Sequence, residues 1–238
     1  MRYLITISYN GRNYNGWQKQ LSGVTVQGEL ERALKIVLRS DIDTTASGRT
    51  DAKVSAYAQV VHFDYDGEID EYKFLRSMNG VLPREIRLLG VLKTDIHARF
   101  SAKRKTYMYR MYVSNVELPL YSDALQISPD LNFKAMKKFV KLLHGTHDFE
   151  GFKASGSDVV DNVRTIYDAK LVSSGLYLDF YVTGNGFLYK MVRNIVGTML
   201  KVGEGKLDLK QLKKELFSTY KSKYTAKPDH LYLVNVEY

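Results

Sequence analysis

The chain contains no cysteine. That excludes disulfides, thiol nucleophiles and thiolate zinc sites. Proline is scarce, 4 in 238 residues, and no Gly/Ser-rich or Pro-rich stretch marks a flexible linker. No apolar run approaches the length of a membrane span. The first residues, MRYLITISYNG, lack the basic region and apolar core of a signal peptide, so a cytoplasmic location is the default expectation. The five histidines are scattered apart from His144 and His147 in HGTHDF, which reads as a helix-end polar cluster, and no metal is expected. There is no P-loop and no dinucleotide fingerprint, so no cofactor is expected either.

What remains is the composition of a folded globular protein, 45% hydrophobic and 26% charged. The length allows one large domain or two smaller ones. A formal net charge of +9 and a pI near 9.4 favour a polyanionic partner. Part of that charge lies in RFSAKRKTYMYRMY, from Arg99 to Tyr112, where cations and aromatics interleave. Such a run supplies phosphate contacts and base-stacking faces together. A half-exposed strand with solvated cations has the same pattern, and both readings stand at this point.

Periodicity predicts a strand over 2–9, a helix over 25–38, a short strand over 42–46, a strand over 57–65, a helix over 70–78 and a strand over 86–92. The second half repeats the order, with a strand over 105–113, a helix over 131–143, strands over 164–172 and 176–183, a helix over 188–202, an extra helix over 207–217 and a strand over 231–236. Each half reads β-α-β-β-α-β, the split βαβ or ferredoxin-like (RRM-like) unit. The expectation is an α+β protein with domains at 1–101 and 102–238. Side by side they would form an extended, mostly antiparallel sheet, with helices on one face and an open face or cleft on the other. Function does not follow from that architecture.

Three segments hold candidates for chemistry. In SGRTDAKVSAYAQVVHF, from Ser47 to Phe63, a Gly-led polar loop with Arg49 and Asp51 precedes a β-rich run. It reads either as a capped turn or as a catalytic carboxylate held by a scaffold. KTYMY places Tyr107 at the head of a strand. In GNGFLYKMVRNIVG, Arg193 lies in an otherwise apolar helix face. Leaving a buried charge unpaired costs about 3–5 kcal/mol, so Arg193 needs an acceptor: Asp51, a helix C-terminus or a nearby surface acid.

Together with HARFSA (His97 to Ala102), DFEGF, the opening YNGRNYNGWQKQ and VQGELERAL, and the closing LYLVNVEY, these segments resemble the TruA family of tRNA pseudouridine synthases, in order along essentially the whole chain. The resemblance implies an enzyme that breaks the glycosidic bond between C1′ and N1 of a uridine and rejoins the base through C5, without cofactor or metal. It implies that Asp51 is the catalytic carboxylate, as nucleophile or as base at C2′. Tyr107 would stack on the uracil, Arg193 would pair with Asp51, and Arg49 would help turn the target nucleotide out of the helix. Arg99, Lys103, Arg104 and Lys105 would contact the RNA. A homodimer is implied, acting on the tRNA anticodon stem-loop at roughly positions 38 to 40.

The family usually continues GRTDA with Gly, Val and His, whereas this chain has Lys53, Val54 and Ser55. If the backbone keeps φ > 0 at position 53, Lys there costs on the order of 1 kcal/mol or more. If it is extended instead, Lys53 points to the same side as Asp51 and reaches a phosphate or the carboxylate. Either way, Lys53 and Ser55 are both expected in the wall of the site. A paralogue acting on another RNA, such as rRNA, fits the same residues. A non-catalytic RNA-binding protein is the further alternative, against which the retention of Asp51, Tyr107 and Arg193 argues.

Overall fold

A computed structural model describes residues 1–156 and 159–238. In chain order the elements are β1 (Arg2–Tyr9), α1 (Val26–Leu38), β2 (Thr45–Ala46), β3 (Ser55–Asp64), α2 (Glu71–Val81), β4 (Ile86–Lys93), β5 (Arg104–Val113), β6 (Leu125–Ile127), α3 (Phe133–Leu142), β7 (Gly145–Asp148), β8 (Val163–Ser174), β9 (Tyr177–Gly184), α4 (Met191–Gly203), α5 (Leu209–Glu215) and β10 (Leu231–Glu237). The fold is α+β with mixed sheets. Among the described residues no helix is long and apolar enough to cross a membrane.

The chain divides into two compact units, Met1–Lys103 with Tyr232–Tyr238, and Arg104–Leu231. By compactness the last strand therefore groups, from Tyr232 on, with the first unit, although the sequence reading used it to close the second half. The reason is a parallel pairing of Tyr232 and Leu233 with Ser55 and Ala56 at the start of β3.

In the first unit β1 is central, antiparallel to both β3 and β4. Its alternation is that of a strand with one buried face: Tyr3, Ile5, Ile7 and Tyr9 are buried, and the residues between them are not. Helix α1 lays Val26, Leu30, Ala33 and Leu34 into the core, and α2 adds Phe74 and Met78. Thr25 and Asp70 cap the two helices, each accepting a backbone N–H one turn in. The short strand β2 is two residues long where five are predicted, because Thr44 is drawn away from the ladder: the Glu31 carboxylate accepts its N–H at 3.1 Å and its hydroxyl at 3.0 Å.

In the second unit β5, β9, β8 and β7 form an antiparallel sheet, and β6 joins β5 in parallel. The opposed pairs Tyr107 and Val182, Tyr109 and Phe180, Met111 and Leu178 make one buried face. Neither β6 nor β7 is predicted from sequence. HGTHD, read as a helix-end cluster, supplies β7, with the His147 ring stacked 3.9 Å from that of Phe217. Helix α4 starts three residues later than its apolar run because Lys190 takes the left-handed conformation, φ 56°.

Candidate active site

The loop carrying Asp51 is clamped at both ends by buried polar groups of the first unit. Ser47 donates its N–H to the Val60 carbonyl at 2.8 Å and its hydroxyl to Gln59 Oε1 at 2.7 Å, and Gln59 Nε2 donates to the Gly48 carbonyl at 2.8 Å. The hydroxyls of Thr50 and Tyr9 lie 2.8 Å apart. Burial pushes the Tyr9 phenol up to about 12, so at neutral pH it stays protonated and able to donate. Each bond ties the loop to β1 or β3, so the sheet fixes its position.

The Asn/Gly-rich segment after β1 lies against the loop from the other side. Trp17 donates its N–H to the Thr50 carbonyl at 3.1 Å, and Lys53 donates its own to the Tyr14 carbonyl at 3.1 Å. Gly16 has φ +91°, and a Cβ there would come within 2.8 Å of the Thr50 carbonyl oxygen. A Cβ on Gly11 would collide with the Val54 carbonyl. The two glycines of NGRNYNGW thus let one backbone run against another. Tyr9, Gly11, Gly16 and Gln59 were not singled out from sequence. The signal was present in the glycines of the loop, but what they approach is visible only in the fold.

Within the loop, Asp51 is half-buried and Arg49 is exposed. The Val54 N–H donates to the Asp51 carbonyl at 3.2 Å, closing a turn whose third residue is Lys53 with φ +69°. The extended alternative for Lys53 is therefore overturned: the left-handed backbone is kept, with a side chain that favours it less than glycine does, and Lys53 is exposed. Ser55 is no part of an exposed wall. It is 4% exposed, and its hydroxyl accepts the Gly11 N–H at 2.9 Å. It braces the loop.

In the second unit Tyr107 is buried, its ring edge-on to that of Phe187 at 5.1 Å, and it shares the buried face of the sheet with Tyr109. The Arg193 charge partly opposes the rise that burial gives the Tyr109 phenol. Arg193 is half-buried in the first turn of α4; its Nε donates to the Ala226 carbonyl at 2.8 Å while its own carbonyl accepts the Ala226 N–H at 3.0 Å. One of its five donors is thereby used to hold the segment that follows α5.

The basic and aromatic run resolves into two parts. Beyond Tyr107, Tyr109 and Tyr112 are buried, and Arg110 is bound to Asp179 at 3.1 Å and Asp123 at 3.3 Å, so that stretch of the strand is core and not a stacking surface. Arg99, Lys103 and Arg104 are exposed, and Lys105 is half-buried. Arg104 lies over the Tyr167 ring at 4.8 Å. Among the described residues no group of three His, Cys, Asp or Glu side chains is placed to hold a metal ion.

A family model described as tRNA pseudouridine synthase matches residues 139–238. A tRNA pseudouridine synthase A from Anoxybacillus flavithermus is 41% identical over 242 residues, covering 100% of this chain and 98% of its own. One from Thermoanaerobacter sp. is 38% identical over 244 residues, covering 99% and 98%. One from Clostridium acetobutylicum is 42% identical over 206 residues, covering 85% and 84%.

Proposed function

We propose a catalytic reading from one premise: the chain belongs to the tRNA pseudouridine synthase A family and is a tRNA pseudouridine synthase, an isomerase. The reaction breaks the bond from C1′ to N1 and makes one from C1′ to C5, with the proton on C5 moving to solvent and N1 gaining one. No atom or electron is exchanged with a second substrate. The enzyme therefore has to supply position and charge.

In this reading Asp51 starts the reaction, as nucleophile or as base at C2′; either role requires an ionised carboxylate aimed at the sugar or base. The observation that supports it is the clamp on the GRTDA loop. Hydrogen bonds from β1, β3 and the Gly11 to Trp17 segment fix that loop, and rigidity of this kind serves a group that must meet its substrate in one geometry. Arg193 is the cation that pairs with the carboxylate and aims it. Tyr107 stacks on the uracil and assists removal of the C5 proton. Arg49 fills the place of the extruded nucleotide. Arg99, Lys103, Arg104 and Lys105 hold phosphates in a basic RNA cleft, and exposed Lys53 adds one more cation beside Asp51 in sequence. The substrate is the anticodon stem-loop, at roughly positions 38 to 40, and the working form is a homodimer.

Mapping pseudouridine by chemical modification across total RNA, from cells with and without the gene, tests this reading. Loss confined to the anticodon arm of tRNAs is the expected result. Loss in ribosomal RNA would move the substrate elsewhere, and no loss in any RNA would overturn the catalytic reading in favour of RNA binding alone.

A further inference from the structure

HARFSA forms a tight turn in the first unit, and nearly every polar group in it is spent on holding its shape. The His97 ring accepts two backbone N–H groups through Nδ1, those of Arg99 and Phe100, both at 3.2 Å. Ser101 closes the turn, donating its N–H to the His97 carbonyl at 3.0 Å and accepting the His97 N–H on its hydroxyl at 3.3 Å. Ala98 is fully buried. Its N–H goes to His62 Nδ1 at 3.1 Å and its carbonyl accepts the Tyr238 hydroxyl at 2.8 Å. The His62 and His97 rings pack at 4.4 Å. Thus His97, Ala98 and Ser101 have structural work, whereas Arg99 and Phe100 are turned outward.

Phe100 is 78% exposed. A single exposed apolar side chain is ordinary. What sets this one apart is how it is held: its ring lies on that of His97 at 4.3 Å, 27° from parallel, and the Arg99 guanidinium sits 5.7 Å from its centre. A fixed aromatic face beside a cation, in a chain of net charge +9 with Lys103 exposed three residues on, suits a nucleobase and its phosphate. A base stacked on Phe100 would extend the stack already begun by His97, and the ordering of the platform has been met in advance by the turn's hydrogen bonds.

We propose that Phe100 is a stacking platform for an unpaired base of the RNA substrate, with Arg99 taking the adjoining phosphate. The inference rests on the reading of the chain as an enzyme that binds tRNA, but not on which uridine is modified. Tyr107 is the residue assigned to the uracil in that reading, and Phe100 is a different side chain, in the first unit. Its role is affinity and placement of the RNA.

The test compares the full-length chain with Phe100→Ala, Phe100→Leu, Phe100→Trp and Arg99→Gln, measuring the Kd for an unmodified tRNA transcript over a range of salt, kcat and KM for pseudouridine formation, and self-association by sedimentation. Phe100→Ala and Phe100→Leu should weaken binding about tenfold and raise KM with it, leaving kcat within about twofold, while Phe100→Trp restores both. Arg99→Gln should reduce the salt dependence of binding by about one phosphate contact, and Phe100→Ala should leave that slope unchanged. Equal Kd for wild type and Phe100→Ala would overturn the proposal. So would full affinity in Phe100→Leu, which would make the contact merely apolar. Weaker self-association with unchanged RNA affinity would assign the face to a second copy of the chain and overturn it as well. Failure of the wild-type chain to form pseudouridine in tRNA would instead sink the functional reading on which the proposal rests.

Discussion

Lys53 offers a way to test the geometry of the Asp51 loop without touching its chemistry. A side chain at φ +69° stands in the left-handed region, which costs an L-residue about 1–2 kcal/mol relative to glycine. Replacement by Gly removes that term but gives the unfolded chain more freedom, which takes back about 0.4–1 kcal/mol. Relative to Lys53→Ala, which loses the same side-chain contacts, Lys53→Gly is expected to be more stable by about 1 kcal/mol, or a Tm higher by about 2–4 °C for a chain of this length. Lys53→Ala is the necessary control. It removes the same charge and the same long side chain but keeps the Cβ, so it carries the loss of the side chain's contacts without the backbone relief. Thermal unfolding followed by calorimetry reads both variants, and if the two units melt separately the shift belongs to the transition of the first. A rise in Lys53→Ala equal to that in Lys53→Gly would show that the lysine's charge, not the backbone, is the source. Lys53→Gly no more stable than Lys53→Ala would refute the left-handed turn itself.

Other consequences reach beyond the loop. The His62 imidazole is lowered from 6.5 to about 4, chiefly by burial and then by the charges of Arg2 and His97. It remains neutral in the fold while the unfolded chain takes up a proton. Its contribution is therefore whole above pH 6.5, is lost progressively between pH 6.5 and about 4, and is constant below that, a loss of at most about 3 kcal/mol. Protonation would also set a second donor against the Ala98 N–H that His62 Nδ1 now accepts. His62→Asn, with an amide oxygen in place of Nδ1, should flatten the decline of denaturant stability over this window; an unchanged decline would count against a neutral His62. Tyr109 gives the opposite kind of substitution, since its hydroxyl is buried with no hydrogen-bond partner among the described residues, and burial raises its pKa. Tyr109→Phe should be neutral or stabilising by about 1–2 kcal/mol in urea unfolding, and a loss of more than about 1 kcal/mol would mean that the hydroxyl is satisfied in solution.

The long elements were legible because one physical signal governed each. The alternation of Tyr3, Ile5 and Ile7 placed β1, and the apolar face from Val26 to Leu34 together with the Thr25 cap placed α1. Legibility failed where tertiary contacts overrode local pattern. Thr44 left its strand for a buried carboxylate, and Lys190 broke the start of an apolar run that would otherwise have continued as helix. β6 and β7 are three and four residues long, too short for any period to show. The same division runs through the site. The residue types in GRTDA pointed to a carboxylate on a loop, yet the groups that hold the loop are far from it in the chain, and Ser55, expected in the wall of the site, is a buried brace. Interleaved cations and aromatics from Arg99 to Tyr112 could not be divided into surface and core until the strand's faces were known, when Arg110 proved to be engaged by two aspartates.

The most direct measurement of the central claim is single-turnover pseudouridine formation by Asp51→Asn on an unmodified tRNA, with RNA binding measured on the same preparation. Asparagine keeps the size and shape of the side chain and removes only the charge and the nucleophile, so the clamped loop should survive. The account predicts no product above background with Kd within several-fold of wild type. Turnover comparable with wild type would show that Asp51 is not the catalytic carboxylate.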